Sequence, residues 1–217
     1  MKRLILPVLL ILAACSPAPK APPASEAASQ AAPPARLPVT GLDVPPDSAR
    51  VEIDTDDGPI VLELDGRDAP QTTANFLHYV DTGKLDGGTF YRVIRAGKAG
   101  FVQFNSGSRT YPPIPHEPTT LTHLTHTDGT ISTARYAVGT ASNEFTIMVG
   151  DMSYLDAGRH ATADNQGYAA FGHVVSGMAV VNKILHAPLS RARPAPGEGP
   201  DETLAQPVVI TRARRLP

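Results

Sequence analysis

From residue 51 onward the chain is cut into short runs of alternating apolar and polar residues separated by turn-forming residues, and this punctuation restricts the fold more than any other feature. Val51-Glu52-Ile53-Asp54-Thr55-Asp56 alternates strictly, Asp57-Gly58 signals a turn, and Ile60-Val61-Leu62-Glu63-Leu64 returns, the pattern of a hairpin. Further strand-like runs fall near residues 89–94, 100–104, 130–134, 144–149, 169–174 and 208–211. Helical spacing is confined to two places. Thr73, Phe76, Leu77 and Val80 form one apolar face, with Asp68 as the expected N-cap, Pro70 in the first turn and Gly83 as the stop. Met178, Val181, Ile184 and Leu185 form the other, running from Gly177 to about His186 before Pro188. Many short strands with only two helices argue for an antiparallel barrel or sandwich, not a parallel sheet.

The first fifth of the chain has a different composition. Lys2 and Arg3 give a basic start, and Leu4 to Leu12 is apolar but too short to span a bilayer as a mature helix. Leu12-Ala13-Ala14-Cys15 then resembles the lipobox of bacterial lipoproteins, which implies removal of residues 1–14 and a lipid on Cys15. Cys15 is the only cysteine, so no internal disulfide can form. Ser16 follows it, not Asp; resemblance to enterobacterial sorting then implies an exported lipoprotein on the periplasmic face of the outer membrane. Residues 15–48 are dominated by Pro, Ala and Ser and cannot bury enough surface to offset the entropy of ordering. They are expected to form a tether reaching on the order of 90 Å when extended.

Residues 49–217 are one domain's length, with enough chain for a single core. The formal charge is −2, more negative still without Lys2 and Arg3, and the only basic cluster is Arg212, Arg214 and Arg215. Nucleic-acid binding therefore lacks its electrostatic footprint. A monomer is expected.

Within Gly87-Gly88-Thr89-Phe90-Tyr91-Arg92-Val93-Ile94 one arginine stands inside an apolar run. Strand alternation puts Arg92 on a face with Phe90 and Ile94. Gln103 is placed to return beside it on the next strand. A fixed guanidinium beside an amide and aromatic rings suits polarising a neutral peptide group. The competing reading is an edge-strand arginine whose head snorkels to water.

The run Ala69-Pro70-Gln71-Thr72-Thr73-Ala74-Asn75-Phe76, then Tyr79-Val80 and Gly83, then residues 86–94, resembles the cyclophilin-type peptidyl-prolyl isomerases. The similarity continues through residues 129–135, Asn143-Glu144-Phe145-Thr146-Ile147, Tyr154-Leu155-Asp156 and residues 167–172, in the family's order. The resemblance implies a mainly β fold: a closed eight-stranded antiparallel barrel capped by two α-helices, its interior packed and its groove outside. It implies isomerisation of prolyl bonds in proline-containing polypeptides, here exported chains in need of folding. That chemistry requires a proline pocket and a donor to the prolyl nitrogen as its lone pair localises; it requires no nucleophile, metal or cofactor.

By resemblance Arg92 is the donor and Gln103 holds the substrate backbone and orients it. Phe90 and Phe101 are placed with the pocket, Tyr154 and Leu155 on the loop over it, and Tyr168 where bacterial members often have tyrosine. Ala134 and Arg135 match the strand that grips the substrate backbone. This chain departs from the family at Glu144, where glutamine is usual, at Tyr91, where histidine is usual, and at Phe104-Asn105, which replace two glycines. Thr146 replaces an aromatic wall of the pocket, which implies weak or selective catalysis; the alternative is a proline-peptide binding module with little turnover. Clustered His116, His123 and His126 lie in a proline-rich loop without ligand spacing, and no metal site is expected. Ser, His and Asp are present without a nucleophile-elbow context.

Overall fold

The computed structural model describes residues 37–190 and 202–217. The leader, Cys15 and the tether as far as residue 36 lie outside the described residues. The elements run β1 (Ser48–Thr55), β2 (Gly58–Asp65), α1 (Pro70–Asp81), β3 (Thr89–Ala96), β4 (Ala99–Asn105), α2 (Thr119–Thr122), β5 (Thr130–Thr133), β6 (Glu144–Val149), a 3-10 turn (Ser153–Leu155), β7 (Ala169–Ser176), α3 (Met178–Leu185) and β8 (Thr203–Leu216). The strands close into an antiparallel barrel in the order β1-β2-β7-β5-β6-β4-β3-β8.

The expected hairpin is β1–β2, with its turn one residue earlier than the Asp57-Gly58 signal. Thr55 pairs with Gly58, so Asp56 and Asp57 form the loop. The Thr55 hydroxyl donates to Gly58 O at 2.7 Å and accepts the Asp57 amide at 3.1 Å, and Gly58 opens β2 at φ +123°, a value that favours glycine.

Both long helices occupy the expected segments. At the end of α1, Gly83 takes φ +63°, its amide reaches Val80 O, and the Lys84 amide reaches Tyr79 O at 2.9 Å. Those two bonds are a Schellman stop. The start differs from expectation: Asp68 does not cap it. Ala69 is the N-cap and supplies no side chain. The buried Glu117 carboxylate, from the proline-rich loop, accepts the Gln71 and Thr72 amides at 3.0 and 2.7 Å and the Thr72 hydroxyl at 2.6 Å. A distant anion thus satisfies the free amides of the first turn. α2, a single turn in that loop, is too short to register as a sequence period.

The core is an aromatic cluster on inward strand positions. Phe76 of α1 meets Phe145 edge-on at 4.9 Å and Phe171 at 5.5 Å, while Phe104 bridges Phe90 (4.7 Å) and Phe145 (5.5 Å). α3 adds buried Val181, Ile184 and Leu185 and packs on β2, β3, β4 and β6. Arg95 of β3 donates to Leu185 O, the last carbonyl of α3, at 2.7 Å and to Ala187 O just beyond it at 2.6 Å. Ahead of β1, the Thr40 amide bonds Gln71 Oε1 and Pro45 is buried.

β8 is longer than residues 208–211 because Arg212, Arg214 and Arg215 mask its alternation. Arg214 is held by Glu52 and Asp54 on β1, and Arg215 by Asp81. β8 is also irregular. Phe90 pairs with Val208 but Arg92 pairs with Thr203, so residues 204–207 pass opposite Tyr91 alone. This bulge brings the first residues of β8 beside Arg92.

Candidate active site

A second bulge, in β3 itself, where Tyr91 is the extra residue between the Phe90–Phe104 and Arg92–Gln103 pairs, corrects the expected face of Phe90. Phe90 and Val93 both point into the core, whereas Arg92 points out, because the extra residue breaks the two-residue period between them. Phe90 is fully buried against Phe104 and does not reach the groove.

The outer face of β4 and β6 is built in three rungs. Phe101 pairs with Met148, Gln103 with Thr146 and Asn105 with Glu144. The face therefore passes from apolar to amide-and-hydroxyl to acidic along its length. Arg92 pairs with Gln103 on one side, and Ser132 of β5 pairs with Thr146 on the other. Above this face lies a groove of about 460 Å³. Its apolar end is lined by Phe101, Met148, Leu155 and Tyr168, and Thr146 borders it. Met148 and Leu155 pack with Met152 in a small cluster separate from the barrel core.

Arg92 is held from two directions. Its Nη1 donates to Gln103 Oε1 at 2.9 Å, and its Nη2 donates to Glu202 Oε2 at 2.5 Å. Glu202 also ties its backbone to β3, its carbonyl accepting the Val93 amide at 2.9 Å. Gln103 in turn donates through Nε2 to Glu144 Oε2 at 2.9 Å. The same oxygen accepts the Tyr91 hydroxyl at 2.9 Å, and Glu144 Oε1 accepts Asn105 Nδ2 at 2.7 Å. Burial, with the Glu144 carboxylate beside it, pushes the Tyr91 hydroxyl well above the usual phenol range. Tyr91 therefore stays a neutral donor. Glu202, Arg92, Gln103, Glu144 and Tyr91 form one continuous chain of hydrogen bonds.

Other expected residues divide by geometry. Ala134 and Glu144 border the groove. Arg135 borders it too, yet its guanidinium is consumed. It pairs with Asp164 in two bonds of 2.7 and 2.9 Å, donates from Nε to Gly167 O at 2.9 Å, and lies over the Tyr168 ring. Arg135 thus braces the loop that carries Tyr168, and its bonds hold the Asp164 carboxyl below the usual carboxylate range. Tyr154 is 48% exposed and lies outside the groove lining, to which its neighbour Leu155 belongs. In a 3-10 turn, adjacent side chains diverge by about a third of a revolution.

The histidines diverge. His126 is buried between Asp156, 2.6 Å from Nδ1, and Ser132, 2.9 Å from Nε2, while His116 lies 3.0 Å from Gln166 O. Among the described residues, no group of three or more His, Cys, Asp or Glu side chains is arranged to hold a metal ion.

Sequence reasoning missed Met148, which reads as core, and Tyr136, which stands 98% exposed at the groove rim. It also missed Glu202, which lies 110 residues from Arg92 and carries no local motif.

Comparison with known proteins agrees with this architecture. Residues 50–215 match the family model described as cyclophilin type peptidyl-prolyl cis-trans isomerase/CLD. Peptidyl-prolyl cis-trans isomerase A of Dickeya dadantii is 34% identical over 172 residues, covering 77% of this chain and 84% of that protein. Peptidyl-prolyl cis-trans isomerase cyp18 of Streptomyces antibioticus is 35% identical over 170 residues, covering 76% and 98%. Among solved structures, a cyclophilin-type peptidyl-prolyl cis-trans isomerase of Cryptosporidium parvum superposes with a TM-score of 0.63 at 17% identity, covering 78% of this chain and 98% of that one. The same protein in the presence of the dipeptide Ala-Pro gives 0.62.

Proposed function

Because the chain belongs to the cyclophilin-type peptidyl-prolyl cis-trans isomerase family, we propose that Arg92, braced by Gln103, is the group with which it lowers the barrier to prolyl rotation. That barrier is about 18–20 kcal/mol, because rotation sacrifices amide resonance. Reaching millisecond turnover from tens of seconds takes roughly a 10⁴-fold gain, about 5.5 kcal/mol. As the amide twists, the lone pair localises on the prolyl nitrogen and becomes a better acceptor than in the planar state. A guanidinium fixed over that position binds the twisted state more tightly than either planar isomer, which is the differential binding that accelerates rotation.

The observation that carries this reading is the Arg92–Gln103 bond at the junction between the apolar and polar ends of one groove. The proline ring is placed on the Phe101–Met148–Leu155 floor, where burial of apolar area holds it. Gln103 keeps one N–H beyond its bond to Glu144, and Asn143, whose Nδ2 donates to Ser106 Oγ and Gly107 O, keeps its Oδ1 for the flanking peptide. The test is exchange NMR on a short Ala-Pro peptide with the protein and its Arg92→Ala variant. Faster cis–trans exchange that falls about 10²–10³-fold in Arg92→Ala is the expected result; undiminished exchange in the variant would overturn the assignment.

Thr146 supports a second reading, a binding module with little turnover. Its short side chain, bonded to Ser132 O at 3.4 Å, leaves the groove wall open where family resemblance expects a ring. Peptide shifts without faster exchange would favour it.

The clients are placed among exported polypeptides by the N-terminal pattern. Cys15 is the lipid attachment site in this reading, and Ser16 directs the protein to the periplasmic face of the outer membrane. Cys15→Ser should release the protein from membranes into the soluble fraction; unchanged membrane partition would remove the anchor from the account.

A further inference from the structure

The groove's charges do not cancel. Arg92 is paired with Glu202, and Arg135 is paired with Asp164 and buried. Glu144 has three partners, the Tyr91 hydroxyl, the Gln103 amide and the Asn105 amide, and all are neutral donors. No cation pairs with it among the described residues. The two arginines at the groove are thus each matched by a carboxylate, and one further carboxylate remains half-buried in its wall. Hydrogen bonds from neutral donors hold that carboxylate in place without removing its field.

Building on the isomerase reading, we infer that this groove selects polypeptides carrying a lysine or arginine near the proline, with Glu144 and Glu202 as the specificity-determining pair. Glu144 supplies the attracting charge. Glu202 acts by masking: at 2.5 Å from Nη2 it offsets the positive field of Arg92, so an acidic flank gains little from approaching the catalytic guanidinium. Arg92 still presents donors to the prolyl nitrogen, since one contact to Gln103 and one to Glu202 engage two of its five N–H groups. The surface is specific by charge while its isomerising donor remains in use. A bare arginine in an otherwise neutral groove would attract acidic flanks, the opposite preference.

The test compares three eight-residue peptides identical except for one position two residues from an Ala-Pro bond, carrying lysine, alanine or glutamate. Exchange NMR gives the catalysed rate for each with wild type, Glu144→Gln, Glu202→Gln and the double variant, at low and at high salt. Wild type should turn over the lysine peptide about three- to tenfold better than the glutamate peptide at low salt, and the gap should shrink at high salt. Each single variant should narrow the gap. The double variant unmasks Arg92 without leaving the attracting carboxylate, and should favour the glutamate peptide. Equal wild-type rates at low salt, or a preference that survives unchanged in both single variants, would overturn the inference.

The alanine peptide separates the two possible failures. If its exchange is accelerated, a missing charge preference defeats charge selection alone. If exchange is accelerated for none of the three peptides, the isomerase reading falls, and lysine-against-glutamate affinities from peptide shifts decide charge selection by the same criteria.

Discussion

β4 and β6 carry two unlike surfaces on alternate residues of the same strands. Inward, Val102, Phe104, Phe145 and Ile147 join the aromatic core. Outward, Phe101–Met148, Gln103–Thr146 and Asn105–Glu144 form the groove. The inner face is held by contact area, which is non-directional and spread over many partners. The outer face is held by a single chain of hydrogen bonds in which each member has at most three partners. Damage to the first is expected to appear as lost stability and damage to the second as lost function.

The largest expected effect is on the inner face. Phe145→Ala removes a fully buried ring that touches Phe76, Phe104 and Phe171, and should cost about 3–5 kcal/mol of unfolding free energy. Urea unfolding measures it. A variant of wild-type stability but impaired catalysis would break the division between the faces.

Arg92→Ala should do the reverse. Removing a positioned donor of this type lowers turnover about 10²–10³-fold. Stability should change by about 1 kcal/mol or less, because the Arg92–Glu202 pair is partly exposed and screened. Exchange NMR and urea unfolding on one sample test both halves. Thr146→Phe is a smaller change in the opposite direction. A ring there should restore apolar contact with the proline and raise turnover several-fold, about 1 kcal/mol of binding. No gain would mean that the Met148–Leu155 floor already suffices.

The inner face was far more legible in the sequence than the outer. Period-two alternation and the Phe76–Val80 stripe place the core because burial imposes a regular pattern on many residues at once. Arg92 and Gln103 were legible as an odd charge and a matching motif. Phe90 falls on the other face because the β3 bulge spends Tyr91 out of phase against β4, and alternation cannot announce its own interruption. Glu202 is invisible for a different cause. Its position beside Arg92 depends on where β8 re-enters the barrel, a long-range event with no local signature. Arg135 was legible as a groove residue, but its bonds to Asp164 and Gly167 are set by loop closure.

Glu117 tests how far the inner face depends on area alone. Its carboxylate holds the first turn of α1, and α1 places Phe76 on Phe145. Burial raises the Glu117 carboxyl above its ordinary 4.5 against the lowering effect of the Thr72 hydroxyl and the Gln71 and Thr72 amides. A carboxyl raised in the native state binds its proton more tightly folded than unfolded, so its contribution to stability grows as pH falls through the native value toward 4.5. Asp164 on the groove side has the opposite sign: Arg135 holds it low, and the stability it contributes is lost as pH falls through its depressed native value. Urea unfolding of wild type and Glu117→Gln at pH 5 and pH 7 isolates the first effect. The wild type should gain on the variant at pH 5 relative to pH 7, because only the wild type can take up the proton. A difference independent of pH would mean that the Glu117 bonds to α1 tighten enough on ionisation to cancel its burial, making the helix start as directional a contact as any in the groove.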